Sequence, residues 1–209
     1  STRQTWGQEI EDSFDLNKMR EVLDGKNRVE IRKVKTILSD PEFEYYKGES
    51  IAEYREQVLK WCQYLADQGF GGMAYPEAFG GQGDMASYFA IMETLSYHDL
   101  SMVIKFGVQF GLWGMSVYFL GTEKHHQQYL KDIGTLKLPG CFAMTETGHG
   151  SNVKGIETTA TYHHKTKTLV INTPHHGAGK EYIGNAAVHG QMATVFAKLI
   201  IDEVDYGVN

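Results

Sequence analysis

The apolar residues of this chain change their period near residue 136, and that change limits the folds open to it. Before it the spacing is helical. Ile51, Tyr54, Val58, Trp61 and Leu65 recur every three or four residues, which sets them on one face of a helix. Ser50 and Glu53 form a capping-box pair in front of them, and Gly69 supplies a stop. The same reading predicts helices over roughly 8–23, 27–38 and 84–97, and another over 122–133 that ends at Gly134. An apolar, glycine-bearing segment at 102–120 lies between the last two, with Asp99 or Ser101 as its cap. After Leu138 the pattern becomes strand-like. "CFAMT" (141–145) alternates small and large residues. Two β-rich runs, 157–162 and 168–173, flank "HHKTK" and predict a hairpin. A further strand is expected over 193–201, and 202–209 reads as a turn.

The expected fold class is therefore α+β. An all-α domain occupies 1–136, and the start of a β domain occupies 137–209. At 209 residues the chain can bury a substantial core. Three or four strands alone would leave sheet edges and an apolar face uncovered. Further chain or a second chain is expected to cover them.

Composition narrows the class. The net charge is −6, which argues against a dominant nucleic-acid role, because phosphate binding needs a basic surface. Cys62 and Cys141 are far apart in apolar surroundings; this is no disulfide framework, and a reducing compartment is the default. "STRQTWGQEIEDSFD" lacks the apolar core of a signal peptide. The segment 102–120 has the length of a membrane span, but Lys105, Gln109, Ser116 and three glycines interrupt it. Buried helices are expected there, not a span.

Four stretches offer chemistry. In "CFAMTETGHGSN" (141–152) an apolar run stops at Thr145. Gly148 and Gly150 let the backbone approach a ligand. Thr145, Ser151 and the loop N–H groups can donate to a polar ring edge or a phosphate. Taken locally, a plain glycine turn between strands remains the simpler reading. No GxGxxG or Walker lysine is present. The adjacent histidines at 125–126, 163–164 and 175–176 diverge on either a helix or a strand, and HExxH is absent, so no metal site is expected. In "KEYIGNAA" (180–187), Tyr182 and Ile183 suit a planar ring, and Gly184 would admit its approach. An edge strand running into a turn reads equally well. "YPEAFGGQG" (75–83) is a loop; Glu77 is a conceivable catalytic carboxylate without a partner acid. The residues taken singly reach no reaction.

Taken together and in this order, the motifs resemble the acyl-CoA dehydrogenase and acyl-CoA oxidase superfamily. "AYPEAFGGQG" resembles the family's P-E-x-x-G-G-x-G loop. "YLKDIGTLKLPGCFAMTETGHGSN" resembles the helix, connector and flavin-binding strand that follow. "KEYIGNAA" is similar to the second flavin strand, K-x-W-I-x-N. Dehydrogenases usually carry T-E-P-G-A-G-S-D where this chain has T-E-T-G-H-G-S-N. His149 and the following "GIETTATYHHKTKTLVINTP" look like the oxidase branch.

The resemblance implies an N-terminal helical domain, an antiparallel β-barrel-like domain of which this chain holds the start, and C-terminal helical domains that it lacks. It implies FAD as cofactor. Thr145 would hydrogen-bond the flavin ring, with Met144 beside it. Tyr182, Ile183 and Gly184 would form the second flavin strand, with Gly184 allowing a close backbone approach. Ser151 would lie near acyl-CoA or cofactor phosphates. The helices over about 84–120 would help wall the acyl-chain cavity.

The implied reaction is the α,β-dehydrogenation of fatty acyl-CoA in fatty acid β-oxidation. A carboxylate takes the α proton, and the β hydrogen leaves as hydride to the flavin. Trans-2-enoyl-CoA is the product, and oxygen reoxidises the flavin to give hydrogen peroxide. The family's base is a glutamate of the C-terminal helical domain. No catalytic residue is assigned here, Glu146 being no match, so the 209 residues read as an N-terminal part with little or no turnover alone. A dehydrogenase passing electrons to an electron-transfer flavoprotein, and a non-catalytic flavin- or acyl-CoA-binding module, are the alternatives. A homodimer is expected for the full-length enzyme, peroxisomal in a eukaryote and cytoplasmic in a bacterium.

Overall fold

The computed structural model describes residues 15–209. The first part of the helix expected over 8–23 lies outside those residues. Its remainder is α1 (Leu16–Asp24), whose N-cap Asp15 accepts from the N–H groups of Asn17 and Lys18. α2 (Arg28–Leu38) follows, and Arg32 and Lys35 reach back to Asp24 at 3.1 and 3.3 Å.

α3 (Ile51–Asp67) begins where the sequence places it, with the Ser50 hydroxyl accepting from Glu53 N–H. The Glu53 carboxylate accepts from Tyr46 Oη instead of closing the box. The helix stops on a Schellman motif. Gly69 takes φ +85°, Phe70 N–H donates to Leu65 O, and Gly69 N–H donates to Ala66 O. α4 (Met85–Ser96) is capped by Asp84. Asp99, not Ser101, caps α5 (Leu100–Phe106). The same helix runs on through π-helical turns at Gly107–Trp113 into α6 (Gly114–Leu120).

Leu100–Leu120 is, among the described residues, the one helix long and apolar enough to cross a membrane by length and composition. Its inward face is built into the fold: Met102, Phe106, Phe110 and Trp113 are buried. The first three join Trp61, Leu65, Phe70, Ile91 and Leu95 in the main core. Trp113 belongs to a second cluster with Tyr75, Leu130 and Ile133. The expected helix over 122–133 is α7 (Glu123–His125), π-helical turns at His126–Leu130, and α8 (Lys131–Gly134).

Six strands follow. β1 (Gly140–Ala143) pairs in parallel with β4 (Met192–Val195). The second sheet has the order β3-β2-β5-β6. In it β2 (Thr159–His163) and β3 (Thr168–Asn172) form the expected hairpin. β5 (Lys198–Ile201) lies parallel to β2 and antiparallel to β6 (Val204–Val208).

The order of helices followed by sheet is as expected, and three details of the strands differ. Strand directions are mixed where an antiparallel sheet was expected: the parallel pairs β1·β4 and β2·β5 join segments separated by long connections, which permit a crossover. The single strand expected over 193–201 is two strands in two sheets, with Phe196 between them packed on Phe142 at a ring-centroid distance of 4.8 Å. Residues 202–209 are mostly strand. Only Asp202 and Glu203 turn, both in the left-handed region (φ +50° and +64°), as a two-residue hairpin turn requires.

Candidate functional site

The site is built where β1 ends. An added Cβ at Gly140 would lie 2.3 Å from the Trp113 ring, so the strand starts flush against the helical core. Its regular pairing stops at Ala143, two residues short of Thr145, because Met144 N–H folds back to Phe142 O. Thr145 and Met144 therefore stand just beyond the strand end, both half-buried.

Glu146 anchors the loop that follows. It is 1% exposed. Its carboxylate accepts from Glu157 N–H and Thr158 N–H, each at 2.8 Å, from the Thr158 hydroxyl, and from Lys180 Nζ at 3.2 Å. Burial alone would raise the carboxyl's pKa. The Thr158 hydroxyl, the two N–H groups and Lys180 outweigh it and hold the group at about 2. Lys180 also donates to Met144 O at 2.8 Å. Burial pushes its ammonium below the usual range, opposed by Glu146.

This clamp lays 144–148 beside 177–181. Glu181 N–H donates to Thr145 O (3.2 Å), Thr147 N–H to Gly179 O (2.9 Å) and Gly148 N–H to Gly177 O (2.8 Å). The first bond uses the Thr145 carbonyl and not its hydroxyl. Tyr182, next along, is 88% exposed at φ +59°. That conformation is costly for a bulky side chain.

From Lys180 onward the chain departs from the expected edge strand. Lys180 makes one isolated bridge to Glu146, and then 183–190 turns. Ala186 N–H bonds Ile183 O, Gly190 N–H bonds Asn185 O, and Asn185 sits at φ +67°. Left-handed residues at 182 and 185 end any extended run. Gly184 packs on the long helix: a Cβ there would lie 3.0 Å from both Val108 methyls. Ile183 and Gly184 line an open groove of ≈ 500 Å³ between this turn, α3 and α5. Its other walls include Ile51, Val58, Leu100 and Ile104, with Arg55, Lys105, Asn185 and His189 among its polar groups. Thr145, Met144, Tyr182 and Ser151 are not among its lining residues.

Ser151 is exposed in the loop beyond Gly150. His149 is tied locally, its Nε2 2.8 Å from Glu157 Oε2, and His175 Nε2 lies 3.3 Å from Glu157 Oε1. Those histidines hold the Glu157 carboxyl below its usual range, His149 through a hydrogen bond first. Among the described residues, no group of three His, Cys, Asp or Glu side chains is placed to hold a metal.

Thus two separated motifs meet at Thr145 and Glu181, and one of them continues into an apolar groove. Sequence reasoning singled out neither Glu146 nor Lys180 as the pair that joins them. The available signal was an acid and a base, one in each motif, in otherwise apolar or small surroundings.

Known proteins resemble this chain in sequence and in fold. Residues 41–137 match the family model described as acyl-CoA dehydrogenase, N-terminal domain. The chain is 45% identical over 169 residues to peroxisomal acyl-coenzyme A oxidase 2 of Arabidopsis thaliana, which covers 81% of this chain and 22% of that protein. It is 38% identical over 213 residues to peroxisomal acyl-coenzyme A oxidase 3 of the same plant, covering 94% and 30%. Among solved structures, acyl-CoA oxidase 1 of Yarrowia lipolytica superposes with a TM-score of 0.79 at 29% identity, over 93% of this chain and 28% of that one. The chain thus spans less than a third of the length of these relatives. On the family match, the relatives and the shared fold, the chain carries an acyl-CoA dehydrogenase N-terminal domain over residues 41–137 and is similar along most of its length to part of the acyl-CoA oxidases.

Proposed function

We propose that the protein carrying this chain is an FAD-dependent acyl-CoA oxidase that converts fatty acyl-CoA to trans-2-enoyl-CoA and passes the electrons to oxygen, giving hydrogen peroxide. The observation that carries this reading is the contact between Thr145 and Glu181. It joins the two motifs that the resemblance assigns to one flavin, and the Glu146–Lys180 pair fixes it.

The residues present fit a flat, polar-edged ring. Thr145 has a hydroxyl free of that contact, and Met144 flanks it at the strand end. Tyr182 offers an exposed aromatic face, and Ile183 an apolar one beside the exposed Gly184 backbone. When bound, FAD supplies the acceptor for the hydrogen that leaves the substrate's β carbon. In this reading the Thr145 hydroxyl donates to the ring and stabilises negative charge as it develops there. Tyr182, Ile183 and Gly184 bound the ring from the second segment, and Ser151 contacts a phosphate of the acyl-CoA or of the cofactor. The groove walled by α3 and α5 offers an apolar surface to the apolar part of the substrate.

The reading divides the chain into a helical domain over 1–136 and a flavin-binding β part over 137–209. It takes the working enzyme as a homodimer. Two Arabidopsis thaliana relatives carry peroxisomal names, which supports a peroxisomal location for a eukaryotic source and leaves the cytoplasm for a bacterial one. The test is a steady-state assay of the full-length protein with acyl-CoA. One hydrogen peroxide per enoyl-CoA, with oxygen as sole acceptor, is the expected result. Turnover only with an electron-transfer flavoprotein or an artificial acceptor would replace the oxidase reading with a dehydrogenase. A protein that cannot be reconstituted with FAD would overturn both.

A further inference from the structure

The long helix is apolar in sequence, yet two of its polar side chains reach the 183–190 turn. Lys105 Nζ donates to Asn185 Oδ1 at 2.6 Å and lies 2.9 Å from His189 Nδ1. His189 Nε2 lies 2.8 Å from Glu56 Oε1 on α3, and the His189 side chain is only 10% exposed. A lysine ammonium only donates and an ionised carboxylate only accepts. Placed between these two neighbours, His189 accepts at Nδ1 and donates from Nε2–H.

One helical turn on from Lys105, Gln109 Oε1 accepts from Gly140 N–H at 3.0 Å and from Asn185 Nδ2 at 3.4 Å. Asn185 Nδ2 also donates to Gly140 O at 2.9 Å. The Asn185 side chain is thus held at both ends, by Lys105 at its oxygen and by β1 at its nitrogen. It holds a left-handed backbone next to Gly184, whose own approach is limited by Val108.

We propose that Lys105, acting through Asn185 and through the His189–Glu56 pair, is a positioning residue that sets the Gly184 backbone from the helical side. The inference rests on the reading of this turn as a flavin contact. Lys105 need not touch the flavin; it fixes the height of the turn against α5, and so the depth at which a ring can settle. A lysine that merely solubilised the groove rim would point outward, without two neighbours from a segment 80 or more residues away.

The test uses the full-length protein with Lys105→Met, which keeps the aliphatic stem and removes the donors. Amide hydrogen exchange over 182–190 is expected to rise about tenfold, while 146–158 stays within about twofold. With FAD added, the dissociation constant should rise about tenfold, and the visible circular dichroism of the bound flavin should change. Ile91→Val, in the core of the helical half, should lower the melting temperature and leave the flavin spectrum unchanged. Glu56→Ala, at an exposed position, should shift exchange and spectrum in the same direction by about threefold; it decides the matter if the Lys105 variant fails to fold.

Exchange over 182–190 within twofold of wild type would overturn the proposal. So would faster exchange with an unaltered flavin spectrum and affinity. If the wild-type protein binds no FAD, the flavin reading fails by itself, and the exchange measurement still decides whether Lys105 sets the turn.

Discussion

The loop over 144–158 and the turn over 183–190 belong to adjoining segments, yet they are held by different means. The loop is closed from within the strand half. Every donor to the Glu146 carboxylate comes from Glu157, Thr158 or Lys180. The turn takes its side-chain ties from the helices, through Lys105, Gln109 and Glu56, and from the start of β1. One anchor is a carboxylate with no side-chain exposure; the other ends in Glu56, whose side chain is 55% exposed. A buried charge pair is costly to break, whereas a pair reaching solvent is screened and contributes little. The contrast makes the loop a fixed rim and the turn an adjustable one that answers to changes in the helices.

The contrast is broken most directly at Glu146. Glu146→Ala leaves the Lys180 ammonium without its charge partner and the N–H groups of Glu157 and Thr158 without an acceptor, while the Thr158 hydroxyl keeps Ala178 O at 3.1 Å. Loss of one partner of a buried pair costs about 3–5 kcal/mol, which should appear as a lower urea midpoint for the full-length protein. A loss below about 1 kcal/mol would put the loop in the same class as the turn.

Acid probes the same group more gently. The folded-state pKa of Glu146 is depressed to about 2 from an ordinary 4.5. Its contribution is therefore fully present above about pH 4.5 and is lost as the pH falls toward 2, amounting to about 3 kcal/mol across that window. Wild type should lose that increment in urea midpoints between those pH values. Glu146→Gln, which has no proton to gain, should start lower and lack the increment.

What was legible in the sequence follows the same division between local and distant causes. Helix boundaries were readable because caps act within a turn. Ser50, Asp84 and Asp99 each hold an N–H three residues ahead. The hairpin over β2 and β3 was readable for the same reason. The course of 180–187 was not: asparagine is one of the few residues that adopt the left-handed region, but nothing announces it for Tyr182. Nor was the role of Glu146, whose burial depends on Lys180, 34 residues on. Lys105 looked like an interruption in an apolar segment until the fold brought Asn185 and His189 to it. For the candidate site, the motifs were visible singly, while the contact that joins them is a property of the fold.

A smaller effect sharpens the turn's side of the comparison. A Cβ at Gly184 would stand 3.0 Å from both methyls of Val108, closer than ordinary packing. Gly184→Ala should therefore cost about 1–2 kcal/mol by pushing the turn off the helix. Adding Val108→Ala should return part of it, since the obstruction is then removed. The two changes are coupled through one contact, so the double variant should be less destabilised than the sum of the singles. Additive costs would mean that the turn is not seated on the long helix at Val108.

The smallest expected effect tests whether the turn answers to the helices at a distance. Ser50 accepts from Glu53 N–H and caps α3. Ser50→Ala should cost about 1 kcal/mol and fray the first helical turn, 51–54. Glu56 lies in the next turn, on the far side of His189 from Lys105. Fraying that reaches it weakens the outer end of the tie to the turn and touches none of the donors to Glu146. Amide exchange should then rise modestly over 183–190 and stay unchanged over 144–158. Equal changes in both segments would mean that the cap acts on stability as a whole, and that the two rims are not held separately.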